Sequence, residues 1–369
     1  MILSTNMIRI LFCGGGSLGH LAPSIAVWET LKAKVPNAKA LFVCSLKKDD
    51  RKFLRKERVL FAPLIAPRTN SFLRAALFPF LFPLGCLEAL IVLLLFRPHV
   101  IFAKGGYVSV PVCLMGKLLF RPIVLHESDR MMGRANRMLL KFARHLCIGA
   151  PEKDIANADV MMMHRLSVHA TGNPVRAMLT KGTRDGGMRV TRFSGKRPVL
   201  LVTGGSQGAE ALNQAVWRNL GSLVELCDVI HIAGRGKMNP QKKHGRYMQC
   251  EVLYDELEHI YAFADLVVSR AGASAIAELA ATGKPAILVP LPDDVQMHQG
   301  ENARFLRQAN AVITIDQREL DTALVPTVQK LLADETKRKE LGNRLRAFAD
   351  PDAADRIANI LIATARHEA

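Results

Sequence analysis

The chain is short of acidic residues, short of aromatic rings and without paired cysteine motifs, and each shortage excludes something. Against 50 Lys+Arg stand only 33 Asp+Glu, a formal net charge of +17 over 369 residues. A surface of that sign favours anionic partners: nucleic acid, acidic lipid or a phosphorylated substrate. Aromatic residues are 6%, and no motif interleaves them with the basic clusters, so nucleic acid is the least supported of the three. The seven cysteines (Cys13, Cys44, Cys86, Cys113, Cys147, Cys227, Cys250) form no CxxC pair. That speaks for buried thiols in a reducing compartment and against a structural zinc. The first apolar run begins too early to leave room for a signal peptide, which points to the cytoplasm. Neither an internal repeat at solenoid spacing nor a low-complexity tract is present.

What is there is globular: 49% hydrophobic and 22% charged residues, on a chain long enough for two domains. Short apolar runs alternate with helix-like stretches. Strands are expected at Ile8–Phe12, Ala40–Cys44, His99–Ala103, Pro122–His126 and His145–Ile148 in the first half. In the second they are expected at Val199–Thr203, Val229–Ala233, Gln249–Leu253, Leu266–Ser269, Ala286–Pro290 and Ala311–Ile315. Strand, helix, strand at this spacing means βαβ units and parallel sheets. A domain boundary is expected after Gly172-Asn173-Pro174-Val175-Arg176, dividing the chain into 1–176 and 177–350. A tail helix, 351–369, opened by Asp350-Pro351-Asp352, is expected to pack back on the first domain.

Two glycine-rich turns, one per half, follow apolar runs and open onto helices: Gly14-Gly15-Gly16-Ser17-Leu18-Gly19-His20 and Gly204-Gly205-Ser206-Gln207-Gly208. A helix N-terminus with glycines in front of it suits a phosphate or diphosphate, and two such turns suggest two nucleotide-binding-like domains facing a shared cleft. Gly14, Gly16 and Gly19 also satisfy G-x-G-x-x-G. No acidic residue ends the second strand at Phe42-Val43-Cys44-Ser45, which removes the ribose contact a dinucleotide site needs. His20 is read either as a helix-start histidine or as a general base, since a neutral imidazole accepts a proton from a hydroxyl. Glu278, in Ser269-Arg270-Ala271-Gly272-Ala273-Ser274-Ala275-Ile276-Ala277-Glu278, either complements a helix dipole or takes the two hydroxyls of a ribose. Asp293 with Asp294, and Asp350 with Asp352, find no third ligand and read as loop and cap residues.

Phe72 to Phe96 is the most apolar stretch and is long enough by count to span a bilayer. Its prolines and charges divide it in two. Cys86–Phe96 is expected to be a core helix. Phe78-Pro79-Phe80-Leu81-Phe82-Pro83 resists a core-helix reading, because two prolines break the hydrogen-bond ladder. With Arg68 and Arg74 nearby it reads as an apolar wedge for a membrane surface, a buried loop being the competing reading.

Taken together, these segments resemble the MurG family. The resemblance rests on the first turn through His20, Gly105-Gly106-Tyr107-Val108-Ser109, His126-Glu127-Ser128-Asp129 and Gly172-Asn173-Pro174-Val175-Arg176. In the second half it rests on Gly204-Gly205-Ser206-Gln207-Gly208, Ala273 to Glu278 and His298-Gln299. It implies a GT-B glycosyltransferase of class α/β: two Rossmann-like, doubly wound parallel-sheet domains with an interdomain cleft. It implies an inverting transfer of N-acetylglucosamine from UDP-N-acetylglucosamine to lipid I, without metal or cofactor, at the cytoplasmic face of the cell membrane. An anionic membrane surface and cell-wall or division proteins are the further partners it implies. By the same resemblance Ser206 and Gln207 sit by the diphosphate, Glu278 takes the ribose and the backbone near Tyr254 the uracil. Ala273, Ser274, Ala275, Ile276 and Ala277 are substrate-binding, His298 and Gln299 reach the sugar hydroxyls, and Arg176 bears on the nucleotide. Ser17, Leu18, Gly19 and Asp129 are substrate-binding, and the first domain brings the acceptor, with His20 as base. Three departures stand out: Leu18 where glycine is typical, Asp129 where the family has an amide, and Ala275 in place of a threonine. The alternatives are a same-fold enzyme with another lipid acceptor, a UDP-sugar epimerase, and a non-enzymatic membrane-docked subunit.

Overall fold

A computed structural model describes residues 7–67, 72–149, 166–295 and 297–367, with 72–76 given by backbone alone. Arg68 and the side chain of Arg74 lie outside the described residues. The chain divides into two compact units, Met1–Pro174 with Pro351–Ala369, and Val175–Asp350. Arg176 therefore belongs to the second unit.

The first unit runs β1 (Arg9–Cys13), α1 (Leu18–Lys34), β2 (Lys39–Ser45), α2 (Lys48–Lys56), β3 (Phe61–Leu64), α3 (Phe72–Phe96), β4 (Val100–Ala103), α4 (Ser109–Leu118), β5 (Ile123–Glu127), α5 (Arg134–Leu139), β6 (His145–Ile148) and β7 (Ser167–Ala170). Its strands lie in the order β3-β2-β1-β4-β5-β6-β7, with every pairing parallel; Ile10, for example, pairs with Ala40 on one side and Val100 on the other. The order reverses between β1 and β4. The loops leaving those two strands therefore lie side by side at the carboxyl edge of the sheet, where open α/β sheets take their ligands.

The second unit repeats the plan: α6 (Arg184–Thr191), β8 (Val199–Thr203), α7 (Glu210–Arg218), α8 (Leu220–Leu226), β9 (Asp228–Ile232), β10 (Tyr247–Cys250), α9 (Leu257–Phe263), β11 (Leu266–Ser269), α10 (Ala273–Thr282), β12 (Ala286–Leu288), α11 (Met297–Gln308), β13 (Ile313–Thr314), α12 (Leu320–Ala333) and α13 (Glu335–Arg346). The sheet order is β10-β9-β8-β11-β12-β13, and its reversal lies between β8 and β11. Every residue of β8 and β9 is buried, as strands covered on both faces by helices must be. The tail helix α14 (Ala353–Arg366) belongs to the first unit and packs on α1. Lys34 pairs with Asp355 at 2.6 Å, and Arg356 donates to the Thr171 carbonyl at 3.1 Å. Asp352 stands at its N-cap, but its side chain makes no cap hydrogen bond.

Two strands were invisible to the pattern, and both are sheet edges. β3 is Phe-Ala-Pro-Leu; Pro63 has no N–H to give a second neighbour, which an outer strand does not require. β7, Ser-Val-His-Ala, is too polar and too short to read as a strand alone.

The apolar segment departs from expectation in both its parts. α3 is one helix from Phe72 to Phe96, with Pro79 and Pro83 inside it. Both prolines are exposed, and neither ends the helix. Phe78 and Phe82 stack one turn apart with ring centroids 5.0 Å apart. Nor is Cys86–Phe96 a core helix. Gly85, Ala89 and Leu93 form a narrow buried line, while Leu77, Phe80, Leu84, Leu87, Ile91, Leu94 and Leu95 form a continuous exposed apolar stripe. The helix packs on α4, and two features seat it on the segment after β3: Glu88 accepts from the Ile65 N–H at 2.7 Å, and a Cβ on Gly85 would stand 2.1 Å from the Ile65 carbonyl oxygen.

Candidate functional site

In the first unit the chain leaves β1 at Cys13, turns through three glycines and enters α1 behind Ser17. Glycine is required at Gly16, where φ is +88° and a Cβ would lie 2.6 Å from the Tyr107 ring. At this turn one of the N–H groups expected to meet a phosphate is already taken. Asp50, buried, accepts from the Gly16 N–H at 2.7 Å and from the Ser45 hydroxyl at 2.6 Å. The chain supplies an anion of its own to this turn. Lys47 completes the fastening by donating to the Gly16 carbonyl at 2.7 Å. Leu18 is accommodated as the first residue of α1, half-buried, followed by Gly19.

His20 is the third residue of α1. Its Nδ1 lies 3.1 Å from the Lys104 carbonyl at the end of β4. A carbonyl only accepts, so the hydrogen-bond network assigns the ring proton to Nδ1 and leaves Nε2 as an acceptor. Burial first, then the Lys104 ammonium, push the imidazole below its ordinary pKa, and the ring is neutral near pH 7. A Cβ on Gly106, where φ is +77°, would stand 3.4 Å from Nε2; the glycine keeps that approach clear.

Behind His20 lies a polar cluster that the sequence reading named only in part. Lys104 is buried, donates to His126 Nδ1 at 2.8 Å and bonds Ser128 Oγ. His126 in turn donates from Nε2 to the Gly172 carbonyl at 3.0 Å. Burial pulls the Lys104 ammonium down to about 8, against the opposing pull of Glu127 and Asp129. The Glu127 carboxylate accepts from the N–H groups of Asp129 and Gly133 and from the Asn136 amide at 2.9 to 3.0 Å; burial, with Asp129 next, still pushes its pKa up. Asp129 thus stands at the end of β5 within electrostatic reach of both His20 and Lys104. Lys104 and Asn136 were missed. The available signals were a lysine ending an apolar strand just before Gly105-Gly106, and an asparagine inside the short helix after His126-Glu127.

In the second unit the residues singled out from the sequence gather along the carboxyl edge of the sheet. Ser206 and Gln207 lie in the tight turn after β8, closed by a Gly208 N–H to Gly205 carbonyl bond at 3.0 Å. Gly208, with φ +67°, packs so closely on the next loop that a Cβ would fall 2.0 Å from the Ala233 carbonyl oxygen. Ala273, Ser274, Ala275, Ile276 and Ala277 form the first turns of α10 next to that loop, because β11 pairs directly with β8. Glu278 follows in the second turn, half-buried, and accepts from the Tyr261 hydroxyl of α9 at 3.0 Å. Burial pushes its carboxyl up to about 7, while Tyr261 and then Arg176 pull it down. The structure thus brings Arg176 and Glu278 together and adds Tyr261. His298 and Gln299 open α11 after β12, and the Gln299 side-chain oxygen accepts from the Leu291 N–H at 3.3 Å. Tyr254 lies in the loop after β10, its hydroxyl 3.5 Å from Arg235.

Comparison with known proteins places these units. The family described as Glycosyltransferase family 28 N-terminal domain matches residues 10–148, and the Glycosyltransferase family 28 C-terminal domain matches 199–357. A relative from Lachnoclostridium phytofermentans is 37% identical over 288 residues, 77% of this chain and 79% of its own; one from Clostridium kluyveri is 30% identical over 366 residues, 96% and 99%. Both are named UDP-N-acetylglucosamine--N-acetylmuramyl-(pentapeptide) pyrophosphoryl-undecaprenol N-acetylglucosamine transferase. Among solved structures, MurG of Acinetobacter baumannii superposes with a TM-score of 0.68 at 21% identity, over 97% of this chain and 99% of that one. The UDP-GlcNAc 2-epimerase of Neisseria meningitidis gives 0.69 at 12% identity, over 96% and 100%, a likeness of fold alone. Two parallel-sheet α/β units with the GT-B glycosyltransferase architecture, both family-28 halves in order and relatives of this length and identity mean that the chain belongs to the MurG family.

Proposed function

We propose that the chain transfers N-acetylglucosamine from UDP-N-acetylglucosamine to undecaprenyl-diphospho-N-acetylmuramoyl-pentapeptide, converting lipid I to lipid II. One observation carries the reading: 30% identity sustained over 366 residues, through both units, with a relative named for that transfer. The second unit takes the donor. Ser206, Gln207 and the N-terminal turns of α10 meet the diphosphate, where helix N–H groups suit an anion. Glu278 accepts from the ribose hydroxyls, Arg176 bears on the nucleotide, the backbone near Tyr254 meets the uracil, and His298 and Gln299 reach the sugar. The first unit takes the acceptor along Ser17, Leu18, Gly19 and Asp129. His20 Nε2 removes the proton of the acceptor hydroxyl as that oxygen bonds to the anomeric carbon. The bond from that carbon to the phosphate oxygen breaks on the opposite side, UDP leaves, and the configuration inverts. Cationic groups and helix N–H dipoles aimed at the departing diphosphate are worth roughly a few kcal/mol each.

The exposed stripe of α3 supports docking at the cytoplasmic face of the membrane. Its apolar run Leu77–Phe96 has a mean hydropathy of 2.3, with 17% of the most apolar window buried. The test is formation of lipid II from UDP-N-acetylglucosamine and a short-chain lipid I analogue by the purified chain. Turnover of the donor to its C2 epimer without acceptor supports the epimerase reading instead. No heat of binding with any uridine-linked sugar overturns the proposal.

A further inference from the structure

Tyr261 is a core residue with a polar end. Its ring is buried in the apolar cluster around Phe263, Val267 and Leu279, and its hydroxyl reaches only 3.0 Å to Glu278 Oε2. A buried phenol must find a partner, and a carboxylate is the stronger choice because the hydrogen bond is charge-assisted. The bond has a direction: the phenol donates, so it favours the ionised form of Glu278. It also occupies one carboxylate oxygen, Oε2, and so restrains the side chain.

We propose that Tyr261 is a positioning residue for donor recognition, holding Glu278 ionised and oriented to accept the ribose hydroxyls, and so setting the pH range over which the donor is gripped. The inference rests on the reading of Glu278 as the ribose contact. A protonated carboxyl has lost part of its acceptor capacity, and with Glu278 pushed up to about 7 by burial that loss falls within the working range. The charged and titratable groups facing Glu278 are few. Tyr261 comes from α9 and Arg176 from the short turn ahead of Ala177–Thr180. α13 packs on α10 too, but its Arg346 meets Gly283, past the far end of the helix. His259, also of α9, turns its ring to Gly186 and accepts from the Thr183 N–H at 2.9 Å, and the neighbouring Glu258 is no part of the field at Glu278, which Tyr261 and Arg176 make up.

The experiment follows steady-state kinetics from pH 6 to 9 for the wild type, Tyr261→Phe and Glu278→Gln. The wild-type donor KM is expected to rise as pH falls through about 7, approaching tenfold per pH unit on the acid side. Tyr261→Phe keeps the ring in its apolar cluster and removes one hydroxyl. The break then moves to higher pH, the donor KM at pH 7 rises several-fold, and toward pH 9 the gap narrows to the part that lost orientation alone causes. The kcat at saturating donor and the acceptor KM stay unchanged. Site-specific replacement of Tyr261 by 3-fluorotyrosine, a stronger donor of nearly the same shape, moves the break the other way and guards against a folding defect. A KM change of equal size at every pH, or no displacement of the break in either variant, overturns the proposal. If Glu278→Gln leaves the donor KM and its pH profile unchanged, the ribose reading itself fails. If that variant gives a raised, flat profile while Tyr261→Phe does nothing, only the role of Tyr261 fails.

Discussion

A histidine serves as a base only if the right ring nitrogen keeps its lone pair and the ring is neutral, and at His20 the backbone secures the first condition by leaving the lone pair on Nε2. The Lys104 carbonyl takes the Nδ1 proton, whatever side chain residue 104 carries. His20→Ala is therefore expected to cut kcat by roughly 10²–10⁴ while the donor KM stays nearly constant, because the donor contacts proposed above belong to the other unit. Steady-state kinetics checks this, and comparable losses in both parameters mean structural damage. The second condition is electrostatic. The Lys104 ammonium helps hold His20 below its ordinary pKa, so the acid limb of kcat lies on the acid side of a free imidazole. Lys104→Met keeps the carbonyl and removes the charge. The limb should move to higher pH, with a larger loss at pH 6 than at pH 8; a uniform loss across the profile refutes the electrostatic role. His20 was legible in the sequence because it follows a glycine turn. Lys104 was not, because a lysine ending a strand reads as a surface cation until the sheet encloses β4 between β1 and β5. Tyr261 was hidden for the opposite reason, as one more large residue on an apolar helix face.

Elements were legible where one covering pattern ruled them and illegible where a neighbour changed the rule. The central strands announce themselves as apolar runs because helices cover both faces, and the glycine turns because positive φ selects glycine. The edge strands β3 and β7 lack the first signal, and α3 runs through two exposed prolines that the proline rule would have made its end. Helical glycines make the same point with a sign. An isolated helix gains about 1 kcal/mol when Gly becomes Ala. At Gly221 of α8, exposed and with nothing within 4 Å of a new Cβ, Gly221→Ala should raise stability by about that much. In α3 the sign reverses, because the added methyl at Gly85 meets the Ile65 carbonyl oxygen at 2.1 Å. Gly85→Ala should then cost about 1–3 kcal/mol as helix and β3 loop move apart. Urea unfolding of the two variants decides it, and equal effects of one sign would mean that α3 does not seat on the Ile65 segment as described.

At the scale of the whole molecule the chain combines two properties that oppose each other in water: an exposed apolar helix face and a net charge of +17. The charge keeps copies apart and draws the protein to anionic surfaces. The apolar stripe, with Phe80 75% and Leu95 80% exposed, gains nothing from water but stabilises contact with an acyl layer. Complete burial of one such side chain is worth about 1.5–3 kcal/mol, and several acting together suffice for stable attachment. The two contributions separate experimentally because only the electrostatic one is screened by salt. On vesicles containing phosphatidylglycerol, the wild type should bind at low ionic strength and retain a residual attachment at 0.5 M salt. Phe80→Glu combined with Leu95→Glu removes two apolar anchors and brings like charge to the lipid. Binding should drop at least tenfold at low salt, and the salt-resistant part should vanish. Turnover of a water-soluble acceptor analogue should stay at the wild-type rate, because the buried line of α3, Gly85, Ala89 and Leu93, lies on another side of the helix from Phe80 and Leu95. Unchanged vesicle binding by the double variant removes the membrane role from α3 and leaves its stripe to be covered by something other than lipid.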